Sequence, residues 1–141
     1  MAKGYRISSK LEEMDLAAIH QFISNSYWSK DIPMEVFEKA LSNSLCFGIF
    51  ANDGIQVGFA RMITDKATYA YLADVFILAE YREQGLSKFL IKEILAHPEL
   101  QGLRRIVLAT RDGHGLYEQF GFKALASPEI FMEIWTPDIY T

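Results

Sequence analysis

The chain has one cysteine, Cys46, in 141 residues, so it can form neither an intramolecular disulfide nor a cysteine-based metal cluster. Cys46 sits in the apolar run Leu45 to Phe50, which predicts a buried thiol rather than a nucleophile. The four prolines and nine glycines are not gathered into a linker. There is no repeat and no low-complexity tract, so a single domain over residues 1–141 is expected. No apolar run approaches the ~20 residues that cross a bilayer, and Met1 to Arg6 lacks the apolar stretch of a secretory signal. Both absences predict a cytoplasmic protein without a membrane partner. A basic excess is also missing: fourteen Lys and Arg face eighteen Asp and Glu, for a net charge of -4. With no basic stripe carrying interleaved aromatics, nucleic acid is not an expected partner. His20 and His97 have no companion at ligand spacing, so no metal is expected.

Apolar residues make up 50% of the chain and aromatics 13%, enough to fill a core and leave rings to line a pocket. Tyr5 to Ile7 is a short strand. Leu11, Met14, Leu16, Ile19, Phe22 and Ile23 recur at roughly helical spacing, predicting a helix over 11–23. Pro33 suits the first turn of a second helix reaching about Asn43. Leu45 to Phe50 and Ile55 to Ile63 are strands joined at the turn Asn52-Asp53-Gly54, and Thr68 to Leu78 is a third long strand. A polar loop over Tyr81 to Gly85 opens a helix with one apolar face (Leu86, Phe89, Leu90, Ile94, Leu95) that Pro98 stops. Arg105 to Ala109 is a strand and Gly113 to Phe120 a short helix closed by Gly121. Phe122 to Leu125 and Ile130 to Trp135 are expected to be two further strands. The class is α+β: a mixed, mostly antiparallel sheet flanked by helices, with one β-α-β crossover.

Chemistry concentrates between Asp74 and Ser87. There an apolar strand ends and a helix begins at Gly85. Helix N-termini expose unpaired N–H groups and the positive end of the macrodipole, so they receive phosphate readily. Gly85 allows close backbone approach and Arg82 adds positive charge. The segment lacks the Gly-Lys-Ser/Thr ending of a P-loop and the three glycines of a Rossmann fingerprint. Further on, Leu116-Tyr117-Glu118-Gln119-Phe120-Gly121-Phe122 follows a strand. Together, Arg82-x-x-Gly85-x-Ser87 and this second segment resemble the GNAT superfamily of N-acetyltransferases. The order of elements and the length agree over nearly the whole chain.

The resemblance implies acetyl-CoA as co-substrate. The N–H groups of Glu83, Gln84, Gly85, Leu86, Ser87 and Lys88 would cradle its pyrophosphate. Val75, Phe76 and Ile77 would pair edge-on with the pantetheine amides, in a strand splayed by a bulge from its neighbour. One N–H there would face the thioester oxygen, and Tyr117 would point its hydroxyl at the sulfur. Three positions depart from the family pattern. Ser87 replaces the last glycine of the loop. Glu83 stands where glycine is common, so its carboxylate must face solvent or pair with a base such as Lys88. Thr110 occupies a place often held by Asn.

Acetyl transfer needs a neutral amine, donors for the oxyanion and an acid for the departing thiolate. Tyr117, protonated at neutral pH, is the expected acid. Asp74, sharing a strand face with Leu72 and Phe76 by period two, is a candidate base or a binder of a cationic acceptor. A structural carboxylate, the nearby His114, or a water relay remain open for that position. Tyr27 and Trp28, after the first helix, read as a lid over the acceptor or as a hydrophobic plug. Phe131, Met132 and Trp135 read as core or as a homodimer surface. The expected function is N-acetylation of a primary amine on a small molecule or peptide. A CoA-binding module without turnover, or a protein lysine or N-terminal acetyltransferase, are the alternatives.

Overall fold

The computed structural model describes residues 3–141. Strands β1 (Tyr5–Ser8), β2 (Leu45–Ala51), β3 (Gln56–Thr64), β4 (Tyr69–Ile77) and β5 (Arg105–Leu108) form one sheet in sequence order. The first four run antiparallel and β5 joins β4 in parallel. A parallel neighbour requires a crossover, which α3 (Leu86–Ala96) supplies. Helices α1 (Leu16–Ser24) and α2 (Met34–Ser42) cover one face, burying Ile19, Ile23, Phe37 and Leu41 against Cys46, Phe50, Phe59 and Phe76. Helix α3 covers the other, packing Leu86, Leu90, Ile91 and Ile94 on Phe47, Ile49, Val57, Ala60, Met62 and Leu72. The short α4 (His114–Glu118) follows β5 on that second face, where Tyr117 and Phe120 join the rim of the core. The β2–β3 hairpin turns where the Asn-Asp-Gly sequence predicts it. Gly54 takes φ 87°, and the Asp53 carboxylate accepts from Ile55 N–H at 3.0 Å.

Three expectations are corrected. The helix expected over 11–23 is two pieces, a 3-10 turn (Leu11–Glu13) and α1. Asp15 separates them. Its side chain accepts from Ala18 N–H as an N-cap, and a cap needs non-helical backbone. The two tail strands do not form: after α4 the chain holds only a 3-10 turn, Pro128–Ile130, and β5 is the last strand of the sheet. Apolar residues at both parities (Ile130, Phe131, Met132, Ile134, Trp135) give such a strand no preferred face, so pattern alone cannot fix its pairing. Finally, Asp74 does not share a face with Leu72. The register slips by one residue within β4, with Phe59 opposite Phe76 but Arg61 opposite Ala73. That bulge interrupts the alternation: Leu72 lies with the α3 core, while Phe76 lies with the α1–α2 core.

Gly58 shows how closely β3 meets the end of β4. A Cβ there would stand 2.6 Å from Ile49 Cγ2, 2.7 Å from Ile77 Cδ1 and 2.8 Å from the Phe76 carbonyl oxygen. Gly58→Ala is therefore expected to cost about 2–3 kcal/mol through overpacking. Urea unfolding should show a lower midpoint at unchanged slope; an unchanged midpoint would contradict this packing.

Candidate active site

The cleft begins where two strands part. β5 pairs with β4 only as far as Leu108 opposite Leu72. Beyond that point β4 continues to Ile77 with no strand on its β5 side, and the bulge lies at the divergence. Backbone groups of Ala73 to Ile77 thus border a cleft of about 1550 Å³.

Asp74 adopts φ 57° at the bulge, a left-handed conformation uncommon outside glycine. Its buried carboxylate accepts from Arg61 Nε at 2.5 Å and from the Trp28 indole N–H at 2.7 Å. Arg61 also donates to Ser44 Oγ at 3.0 Å. A buried charge is tolerated only when paired and hydrogen-bonded, and here the pair also fastens the segment after α1 to the sheet. Trp28 holds Tyr27 edge-on at 5.0 Å, and the Arg111 guanidinium stacks over the Tyr27 ring at 3.8 Å. Phe22 of α1 stacks on Phe76 at 4.0 Å and completes that wall.

At the far end, the loop into α3 is held by side chains rather than by regular structure. Arg82 Nε donates to the Ile77 carbonyl at 2.9 Å, and Gln84 Oε1 accepts from the Tyr5 hydroxyl at 3.0 Å. Glu83 has φ 64° and Gly85 φ 75°. Gly85 is the N-cap residue, and no side chain caps α3, so its first N–H groups remain available. On the β5 side, Thr110 Oγ1 accepts from Gly113 N–H at 2.9 Å. A Cβ at Gly113 would stand 2.9 Å from that oxygen and 3.2 Å from the Tyr117 ring. Burial, with Tyr27 nearby, pushes the Tyr117 phenol above its usual pKa of 10.0. Its hydroxyl has no hydrogen-bond partner among the described residues.

Of the residues singled out from sequence, Tyr27, Trp28, Asp74, Val75, Phe76, Ile77, Arg82, Ser87, Thr110 and Tyr117 all line this one cleft. Glu83, Gln84 and Gly85 are exposed on the loop, Lys88 is exposed in the first turn of α3, and Leu86 is buried as its anchor. Glu83 makes no ion pair with Lys88 and faces solvent. His114 is exposed and lies outside the cleft lining. His20 Nε2 donates to the Ile32 carbonyl at 2.7 Å, and His97 Nδ1 accepts from Glu99 N–H at 3.1 Å, both local structural bonds. Cys46 is buried, and burial raises its thiol to about 11. Sequence reasoning missed Arg61, Arg111 and Gly113. Arg61 had a signal, a lone charge between Ala60 and Met62 in an apolar strand; Arg111 and Gly113 had none. Among the described residues, no group of three His, Cys, Asp or Glu could hold a metal ion.

The family pattern described as "Acetyltransferase (GNAT) domain" matches residues 9–136. The chain belongs to the GNAT acetyltransferase family. A GNAT-family protein of Xanthomonas campestris pv. campestris, known from its crystal structure, is 47% identical and superimposes with a TM-score of 0.94. That match covers 97% of this chain and 96% of the other. A GNAT-family acetyltransferase of Streptococcus pneumoniae is 25% identical, with a TM-score of 0.71 over 94% and 97% of the two chains. A Gibberella zeae protein, named as a candidate acetyltransferase, is 30% identical over 135 residues, 80% of this chain and 75% of its own. The five-strand sheet, open between its fourth and fifth strands, is thus the GNAT fold, and the acetyltransferase assignment is shared by these relatives.

The Asp74 pair can be weighed directly. Asp74→Asn leaves Arg61 without its counter-charge and should cost about 3 kcal/mol. Trp28→Phe keeps the ion pair, loses one bond to a charged acceptor, and should cost about 1.5 kcal/mol. Chemical denaturation of both variants checks the ranking, and equal losses would mean that the ion pair is not what holds this corner.

Proposed function

We propose that this GNAT protein transfers the acetyl group of acetyl-CoA directly to a primary amine on a small molecule or peptide. The observation that carries the reading is the divergence of β4 from β5 beyond Leu72, with Tyr117 facing the gap. The donor set fits acetyl-CoA. Ala73 to Ile77 present an unpaired strand edge, α3 begins without a side-chain cap, and Arg82 and Ser87 line the same end of the cleft. When bound, acetyl-CoA supplies an activated acetyl thioester.

The chain's own groups divide the remaining work. The free edge of β4 orients an extended amide-bearing arm as an added strand and offers N–H groups to a developing oxyanion. The loop at Glu83 to Gly85 and the first turn of α3 to Lys88 present main-chain N–H groups to the pyrophosphate. Tyr117 holds its proton through neutral pH, because burial disfavours the phenolate, and can donate it to a leaving thiolate. Asp74 lies on the acceptor side with each oxygen already accepting one bond. It is placed to orient an amine or a water at its remaining lone pairs, and the amine's proton passes to Asp74 or through water. Tyr27 and Trp28 roof this side, which supports a small or slender acceptor over a folded protein surface. The departures at Glu83, left-handed where the family often has glycine, and at Ser87 keep CoA binding without turnover as the alternative reading.

Ligand-dependent melting tests the cofactor. Saturating acetyl-CoA or CoA, at about a hundredfold over Kd, should stabilise the fold by about 2.7 kcal/mol, and ATP much less. A Cβ at Gly85 meets nothing within 4 Å, but φ 75° strains any side chain there by about 1 kcal/mol, so Gly85→Glu should fold with a lower melting temperature and, as the loop backbone relaxes and its N–H groups turn away, lose the shift. A wild type indifferent to both CoA ligands would remove the basis of the proposal. Turnover over an amine panel then separates the enzyme from the silent binder.

Tyr117→Phe tests the acid. It should retain the CoA melting shift but lower kcat about a hundredfold. In the wild type, activity that depends on the Tyr117 proton persists through neutral pH and falls only as pH rises through a value above 10. That alkaline limb should be missing from the Phe variant. Unchanged kcat and an unchanged limb would assign the acid elsewhere.

A further inference from the structure

Six charged side chains line the cleft: Arg61, Asp74, Glu80, Arg82, Arg111 and Asp112. Arg61 and Asp74 neutralise each other. Arg82 is bonded to the Ile77 carbonyl and, like Glu80, belongs to the segment between β4 and α3. Arg111 and Asp112 remain, just beyond the end of β5, and neither makes an ion pair among the described residues. Arg111 is exposed but its head is held. The guanidinium lies 3.8 Å from the Tyr27 ring centroid, Tyr27 meets Trp28 edge-on at 5.0 Å, and Trp28 is bonded to Asp74 at 2.7 Å. Those three contacts tie Arg111 to the Asp74 end of the cleft, while Arg82 belongs to the Ile77 end. Stacking uses the face of a guanidinium and leaves its five N–H donors free. Among the described residues, arginine side-chain hydrogen bonds come from Arg6, Arg61 and Arg82, and none from Arg111.

The surface beside Asp74 is largely apolar. Tyr71 of β4 and Ile63 of β3 stand opposite each other and line the cleft. Burial and then the Asp74 charge raise the Tyr71 phenol above 10.0, and Tyr27 acts on it as well, so these groups lie close together. We infer that the acceptor is an amino carboxylate with a small apolar body, whose amine meets the acetyl group beside Asp74 and whose carboxylate is received by the Arg111 guanidinium. This assignment rests on the acetyl-transfer reading and narrows its acceptor class. A planar guanidinium with a free edge matches a carboxylate through two parallel N–H bonds. The neighbouring charges set the sign and size of what fits. Arg61 already neutralises Asp74, so a polyamine finds no uncompensated carboxylate there. Asp112 adjoins Arg111, so one negative charge is balanced where the two of a phosphate would be repelled.

Acetylation rates over apolar α-amino acids and ω-amino acids, each paired with its own amide, test the carboxylate. An amide also lowers the pKa of a neighbouring amine, so the decisive number is the change between proteins in the acid-to-amide ratio of kcat/KM. That ratio should fall about ten- to a hundredfold from wild type to Arg111→Gln and further in Arg111→Glu, while Arg111→Lys recovers part of it. If Arg111 only props Tyr27, acid and amide lose rate alike, and an unchanged ratio overturns the inference. Where no amine turns over, melting in saturating CoA reads recognition alone: the acid should add a shift that its amide does not, and Arg111→Gln should lose it. Equal shifts from acid and amide overturn the inference. So does loss of the CoA shift itself in Arg111→Gln, which would put the guanidinium on the cofactor. The two readings fail differently. A wild type indifferent to CoA removes acetyl transfer and the acceptor with it, whereas a normal CoA shift with an unchanged ratio removes the amino carboxylate alone.

Discussion

One extra residue in β4 governs the geometry on which everything else at the cleft depends. Side chains alternate along a strand, so an inserted residue exchanges the faces of all that follow and bends the strand. Here the slip falls between the pairs Arg61–Ala73 and Phe59–Phe76. Before it, Leu72 points into the α3 core; after it, Phe76 points toward α1 and Ile77 into the α3 core. The bend also carries β4 away from β5 beyond Leu72, and the cleft is the space so opened. Asp74 pays a conformational penalty of about 1 kcal/mol for its left-handed backbone. The offset is local, since its carboxylate meets the guanidinium that β3 presents at Arg61 and the indole that arrives from the segment after α1.

That corner joins the layers of the fold as well as shaping the site. Trp28 binds the α1 side to β4, Tyr27 leans on Trp28, and Arg111 reaches from the residue after Thr110 to stack on Tyr27. The two walls of the cleft are therefore linked over its mouth by a cation–π contact, which at an exposed site is worth about 0.5–1 kcal/mol. The inner fastening is a buried ion pair and the outer one a weak, exposed stack.

These strengths explain what could be read from sequence. The strands from Leu45 to Ile77, the helix after Gly85 and the loop motif were legible because each is written in local chemistry: apolar runs, an Asn-Asp-Gly turn, a glycine at a positive φ. Tyr117 and the loop were legible through their resemblance to a family pattern. The face of Asp74 was not, because a bulge is a property of two strands in register and leaves no mark in the period of one. The break before α1 had a mark, Asp15, that helical spacing on both sides obscured. The tail failed for a different reason. Ile130 to Trp135 has the composition of a strand, but composition does not supply an edge to pair with, and the sheet ends at β5. The pairing of Arg61 with Asp74 needed the register as well, although a lone arginine in β3 and a lone aspartate in β4 were both visible.

Glu83 illustrates how backbone geometry can limit the effect of an unfavourable side chain. The left-handed turn at Glu83, followed by another at Gly85, bends the chain so that successive N–H groups gather toward one side. The side chain at such a position is carried to the opposite side, and Glu83 is accordingly exposed and absent from the cleft lining. Its carboxylate acts on a phosphate in the proposed site mainly through solvent, where physiological salt screens charges beyond about 8 Å. What glutamate costs relative to glycine at this position is then chiefly backbone strain, about 1 kcal/mol. The neighbouring bonds from Arg82 to the Ile77 carbonyl and from Tyr5 to Gln84 hold the loop in shape against that strain. Cofactor binding at this loop therefore depends on N–H geometry that Glu83 adopts at a cost, more than on the sign of the charge it carries.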